Sequence, residues 1–146
     1  MRVEIRYQSN GGNTRVAAEA IGEIIGVEAK PFSVPLDAPV DLLILGGGVY
    51  AFGLDKSFKA YLEGMDAGAI KSVAAFSTGG FMSVAAKIAA IAKSKGITVC
   101  EKILGLKMGG GNNDGKGKEM SDKHLEQING FLKAVMPKAD AISTNL

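Results

Sequence analysis

The chain has 146 residues, room for one domain of ordinary size and little else. Seventeen Lys and Arg stand against 15 Asp and Glu, a net charge of +2. That bias is too slight for a nucleic-acid binder, and the nine aromatic residues follow no basic stripe. With a single cysteine, Cys100, and a single histidine, His124, an internal disulfide and a Cys/His zinc site are both excluded. The N-terminus lacks signal-peptide order and no apolar run nears the roughly 18 residues of a membrane span, so the expected location is the cytoplasm. Twenty glycines, about twice the usual share, are the compositional anomaly.

Ten of those glycines fall in four clusters, at 11–12, 46–48, 79–80 and 109–111, each after a short apolar or alternating segment. Residues 3–8 alternate Val3, Ile5 and Tyr7 with Glu4, Arg6 and Gln8, a strand pattern. Val16, Ala17, Ala20, Ile21, Ile24 and Ile25 recur at helical spacing over 13–25, and Gly26 ends the helix. A second short strand is expected over 27–32, before Pro35 and Pro39. The run 40–45 is nearly all apolar, as a parallel strand covered on both faces requires. The spacing of Leu54, Phe58, Tyr61, Leu62 and Met65 predicts a helix over 54–65. A buried strand follows over 72–77, then an Ala-rich helix over 83–95 that stops at Gly96. Residues 97–106 read as the fifth strand. A polar glycine-rich loop over 107–118 leads to a last helix, with Ser121 as its cap and Leu125, Ile128, Phe131, Leu132 and Val135 on one face. Five strands alternating with helices predict a parallel sheet with right-handed crossovers in a single domain, 1–146. Ligands of such folds bind at the carboxyl ends of the strands, where three of the glycine clusters lie.

The segment Gln8-Ser9-Asn10-Gly11-Gly12-Asn13-Thr14 joins the first strand to its helix. Small donors and glycines at the positive end of a helix suit a phosphate group, and the same residue types serve a helix cap and turn. Ser9-Asn10-Gly11-Gly12-Asn13-Thr14 resembles the phosphate loop of the flavodoxins, a hydroxyl residue followed by T-T-G-N-T or close relatives. Asn10 and Gly11 depart from it, standing where threonines are common. The run from Val40 through Gly46-Gly47-Gly48-Val49-Tyr50, continued by Ala51-Phe52-Gly53, resembles the third strand and first flavin loop, where an aromatic covers the ring. Phe76-Ser77-Thr78-Gly79-Gly80 resembles the fourth strand and the second flavin loop. Taken singly, Tyr50 also reads as a surface aromatic, residues 77–80 as a capped turn, and Phe81 as a core residue.

The resemblance covers the chain in order and matches the short-chain members. It implies a flavodoxin-like three-layer α/β sandwich, with a five-stranded parallel sheet of order 2-1-3-4-5. It also implies noncovalent FMN: Ser9, Asn10, Gly11, Gly12, Asn13 and Thr14 on the phosphate; Val49, Tyr50, Ala51, Phe52 and Gly53 along one side of the ring; Ser77, Thr78, Gly79 and Gly80 at its pyrimidine edge. The expected function is electron transfer between redox partner proteins, by a monomer or weak dimer, with no catalytic or metal-binding residues. Two alternatives remain open. Residues 50–58 also resemble the loop and helix of flavodoxin-like quinone or protoporphyrinogen dehydrogenases, and a flavin-free binding module could keep the scaffold alone.

Competing motifs lack required residues. Gly46 to Ala51 fits G-x-G-x-x-A, but no acidic residue occurs from 67 through 100 to hold a ribose. Residues 110–117 approximate a Walker A loop with Gly117 in place of the required hydroxyl. A response-regulator receiver needs acidic residues where Gln8, Ser9 and Gly46 stand. Cys100 in a strand pattern reads as a small buried hydrophobe, and His124 in the first turn of the last helix as exposed.

Flavodoxins are acidic, and their negative charge disfavours the anionic reduced flavin. Here residues 67–100 hold no carboxylate and four lysines, Lys71, Lys87, Lys93 and Lys95. Fewer carboxylates near a bound flavin would raise its lower reduction potential.

Overall fold

The alternating apolar and glycine-rich segments build six strands and four helices in a computed structural model that describes residues 1–9, 12–37, 39–48, 54–79, 83–108 and 120–136. In chain order these are β1 (Val3–Tyr7), α1 (Asn13–Ile25), β2 (Ala29–Pro31), β3 (Leu42–Gly48), α2 (Lys56–Glu63), β4 (Ser72–Thr78), α3 (Ser83–Ser94), β5 (Thr98–Val99), β6 (Leu104–Leu106) and α4 (Asp122–Val135).

All pairings are parallel, and the sheet runs β2-β1-β3-β4-β5, with β6 also on β4. Ile5 sits opposite both Ala29 and Ile44, and Ile44 opposite Ala74. The expected strand order therefore holds, with one difference. The fifth position is shared by two short strands instead of one continuous run over 97–106. Val73 pairs with Val99 and Phe76 with Leu104, so three steps along β4 are matched by five along the edge. The two surplus residues bulge outward. Glu101 and Lys102 are exposed there, while Ile103 turns back to pack on the core.

Side chains of β3 alternate between two buried clusters, which is why its sequence is apolar throughout. Leu42 and Ile44 join Ile5, Ala74 and Phe76 under α1 and α4, against Ala17, Ile21, Ile128 and Phe131. Leu43 and Leu45 join Val73 and Ala75 under α2 and α3, against Phe58, Leu62, Val84 and Ile88. Local chemistry fixes the helix ends. Asp55 Oδ2 accepts from Phe58 N at 3.0 Å to start α2, and Ser121 Oγ accepts from His124 N at 3.1 Å to start α4. Gly26, at φ 73°, ends α1.

The polar side of β1 is not solvated, despite its alternation. Arg6 is 2% exposed, because the chain after β2 folds over it. Its Nε donates to Val34 O at 2.9 Å, Nη2 to Pro35 O at 3.1 Å, and Nη1 to Ile5 O at 3.0 Å and Glu4 Oε1 at 2.9 Å. Phe32 then packs against Phe58 and Tyr61, with ring centroids 5.3 and 5.5 Å away.

Candidate functional site

The strand order reverses between β1 and β3, and the carboxyl ends of these strands meet there. Gln8, 4% exposed, donates its backbone N–H to Gly46 O at 3.0 Å and so holds the exits of β1 and β3 together. The chain then turns into α1 through Ser9, whose Oγ accepts from Gly12 N at 3.0 Å. Gly12 is the N-cap of α1 at φ 90°, a conformation that side chains resist. It has no side chain with which to cap the helix, and the first turn of α1 carries no acidic residue. The positive end of α1 is thus dressed differently from the starts of α2 and α4, which Asp55 and Ser121 cap.

Two more of the expected site residues converge beside this turn. Thr14, in the first turn of α1, and Thr78, the last residue of β4, place their Oγ1 atoms 2.8 Å apart, and both residues are buried. Ser77 is fully buried in β4. Gly79 donates its N–H to Leu106 O at 3.2 Å, which ties the exit of β4 to β6. Ser9, Gly12, Asn13, Thr14, Ser77, Thr78 and Gly79 all stand at the exits of β1 and β4 or at the start of α1. Asn10, Gly11, Val49, Tyr50, Ala51, Phe52, Gly53 and Gly80 lie outside the described residues, as do Phe81 and the 109–111 cluster.

The three glycines at 46–48 belong to β3 itself, not to a loop after it. At Gly46 a Cβ would lie 2.0 Å from Phe76 Cζ, so the phenyl ring occupies the space that a side chain would need. At Gly47 a Cβ would come within 3.2 Å of Phe58 and of Val84. These two glycines answer to the core on either side of the sheet, which composition could not separate from a ligand-binding role.

Among the ionisable groups, burial pushes the Tyr7 phenol up, reinforced by the Glu19 carboxylate and opposed by Arg15. Burial also raises Tyr61, with Arg6 pulling the other way. Burial alone pushes the Cys100 thiol up, which weakens it as a nucleophile. His124 is half-buried rather than exposed, because Lys107 runs beside the first turn of α4 and its carbonyl accepts from Nε2 at 2.8 Å. A cavity of about 270 Å³ between β6 and α4 is lined by Lys102, Leu104, Gly105, Gln127 and Phe131, none of them an expected site residue. Among the described residues no three His, Cys, Asp or Glu side chains gather as a metal site, and no helix is long and apolar enough to cross a membrane.

No family model matches the sequence. No curated protein matches it either. Solved structures do. A flavodoxin from the domain Archaea superposes with a TM-score of 0.76 at 21% identity, covering 96% of this chain and 99% of that one. Oxidised Flavodoxin 2 from Bacillus cereus gives 0.71 at 18% identity over 94% and 99%. A flavoprotein from Lactobacillus acidophilus, solved in complex with FMN, gives 0.56 at 18% over 71% and 92%. The strand order, the two-sided core and these superpositions together show that the chain has the flavodoxin fold.

Proposed function

We propose that this protein binds FMN noncovalently at the carboxyl ends of β1, β3 and β4 and carries electrons between redox partner proteins. The observation that carries this reading is the start of α1. At the point where strand order reverses, a helix opens on a left-handed glycine, uncapped by that residue and free of carboxylate in its first turn, beside the Ser9 hydroxyl. Such an end attracts an anion through backbone N–H groups and the helix dipole.

Ser9, Asn10, Gly11, Gly12, Asn13 and Thr14 would hold the phosphate, Val49 through Gly53 one side of the ring, and Ser77, Thr78, Gly79 and Gly80 its pyrimidine edge. When bound, FMN supplies one- and two-electron redox chemistry. The chain orients it. The Thr14–Thr78 hydroxyl pair fixes the first turn of α1 against the end of β4, so the phosphate and ring-edge segments hold one spacing. Gln8 does the same for β1 and β3.

The test is the visible spectrum of the purified protein, with an FMN titration of the colourless form. Saturable binding is expected, and no uptake at high micromolar FMN would refute the reading. Gly12→Val, strained at φ 90°, should lower FMN affinity by at least about tenfold while changing riboflavin affinity little, since riboflavin lacks the phosphate.

A further inference from the structure

Helices α2 and α3 pack side by side on one face of the sheet, and both begin where β3 and β4 have just ended. Their first turns therefore flank the proposed flavin site. Lys56 opens α2, Lys59 lies one turn along it, and Lys87 stands four residues into α3. All three are exposed, and among the described residues none makes an ion pair. The neighbouring carboxylate, Asp55, is held by the Phe58 amide, and neither helix has an acidic residue in its first turn. A cation in the first turn of a helix works against its stability, so helix formation does not explain Lys56 at the start of α2.

The surroundings narrow what such a surface can meet. The exposed large hydrophobics among the described residues are Met1 and Ile24, on other elements, so no described residue of this face offers an apolar side chain to a lipid layer. Phe58 and Tyr61 are held in an aromatic cluster with Phe32, leaving no exposed platform for bases on this face among the described residues. We propose that the site end of the α2–α3 face, carrying Lys56, Lys59 and Lys87, docks an acidic redox protein. This assignment rests on the electron-carrier reading above and adds the charge of the partner and the face that it meets. Lys71, before β4, and Lys93 and Lys95, at the end of α3, form a second cationic group at the opposite end of the sheet. They serve as an internal control.

The experiment uses the full-length protein and an acidic plant-type [2Fe–2S] ferredoxin as probe. Binding of oxidised ferredoxin is followed through backbone amide shifts. Electron transfer is followed by stopped flow, each reduced cluster losing one electron and the bound flavin gaining it. The expected result is shifts confined to residues 54–63 and 83–90, with affinity falling as salt rises. The triple variant K56E/K59E/K87E should lose about tenfold or more in affinity and rate, and K71E/K93E/K95E less than about threefold. Equal losses in the two variants, shifts on α1 and α4, or tighter binding to basic cytochrome c, phosphatidylglycerol vesicles or duplex DNA would overturn the proposal. Normal FMN uptake with unchanged ferredoxin binding in K56E/K59E/K87E would remove the docking face alone. Failed FMN uptake with lysine-dependent ferredoxin binding would remove only the carrier reading.

Discussion

The Thr14 and Thr78 hydroxyls, 2.8 Å apart in the interior, join residues 64 positions apart in sequence. One hydroxyl donates to the other and both residues are buried, so removing either leaves the other without this partner. Thr14→Val and Thr78→Val should each cost about 1–3 kcal/mol, and the double variant less than the sum of the two, because its remaining surfaces are both apolar. Urea unfolding of the four proteins gives the coupling directly; strict additivity would show that the pair does not act as a unit.

Substitution at the adjacent glycines of β3 separates two degrees of crowding. Gly46→Ala drives a methyl group into the Phe76 ring at 2.0 Å, and should cost more than about 3 kcal/mol. Gly47→Ala meets Phe58 and Val84 at 3.2 Å and should cost under about 1.5 kcal/mol. Phe76→Leu added to Gly46→Ala should recover part of the loss by thermal unfolding, since the smaller side chain vacates the ring's position.

Arg6 anchors the segment after β2 through the carbonyls of Val34 and Pro35. Arg6→Met should destabilise by about 2–4 kcal/mol and expose residues 32–37 to proteolysis, because those carbonyls lose a charged donor. Arg6→Lys should restore less than half of that. A single ammonium group cannot replace a planar fork that serves four acceptors.

The raised pKa values of Cys100, Tyr7 and Tyr61 have a consequence in alkali. Each group is held neutral by the fold, so its contribution is complete below its ordinary value of 9.0 or 10.0 and is lost as pH rises from there through the higher folded value. Denaturant midpoints should be flat on this account up to about pH 8.5 and then fall. Cys100→Ala should remove the earliest part of the fall, and at neutral pH Cys100 should react with disulfide reagents more slowly than a free thiol.

The helices were legible because their apolar spacing is dense. Residues 13–25, bounded by Gly12 and Gly26, were expected as the helix that the structure shows. The glycines that extend β3 to Gly48 were less legible. For Gly46 and Gly47 the reason lies in Phe76, Phe58 and Val84, which are distant in sequence. The break in the fifth strand escaped for a similar cause, since a surplus of two residues shows only against the register of β4. At the site, the polarity of Ser9, Thr14, Ser77 and Thr78 was readable. That Thr14 and Thr78 bond one another was not, because sequence carries no information on which of two hydroxyls in a cleft faces the other. The burial of Arg6 was hidden by an alternating pattern that looks the same whether water or a loop covers the polar side.

The interrupted fifth strand also bears on how the protein behaves in concentrated solution. One margin of the sheet is divided into pieces of two and three residues, and the other is the three-residue β2, ending in Pro31, which has no N–H to offer. Among the described residues neither margin presents the long ladder of unpaired amides on which a second chain could template a strand. A chain rich in apolar parallel strands is thereby shielded from joining its neighbours edge to edge. Deleting Glu101 and Lys102, which would let β5 and β6 merge, is the change that should give that shielding up.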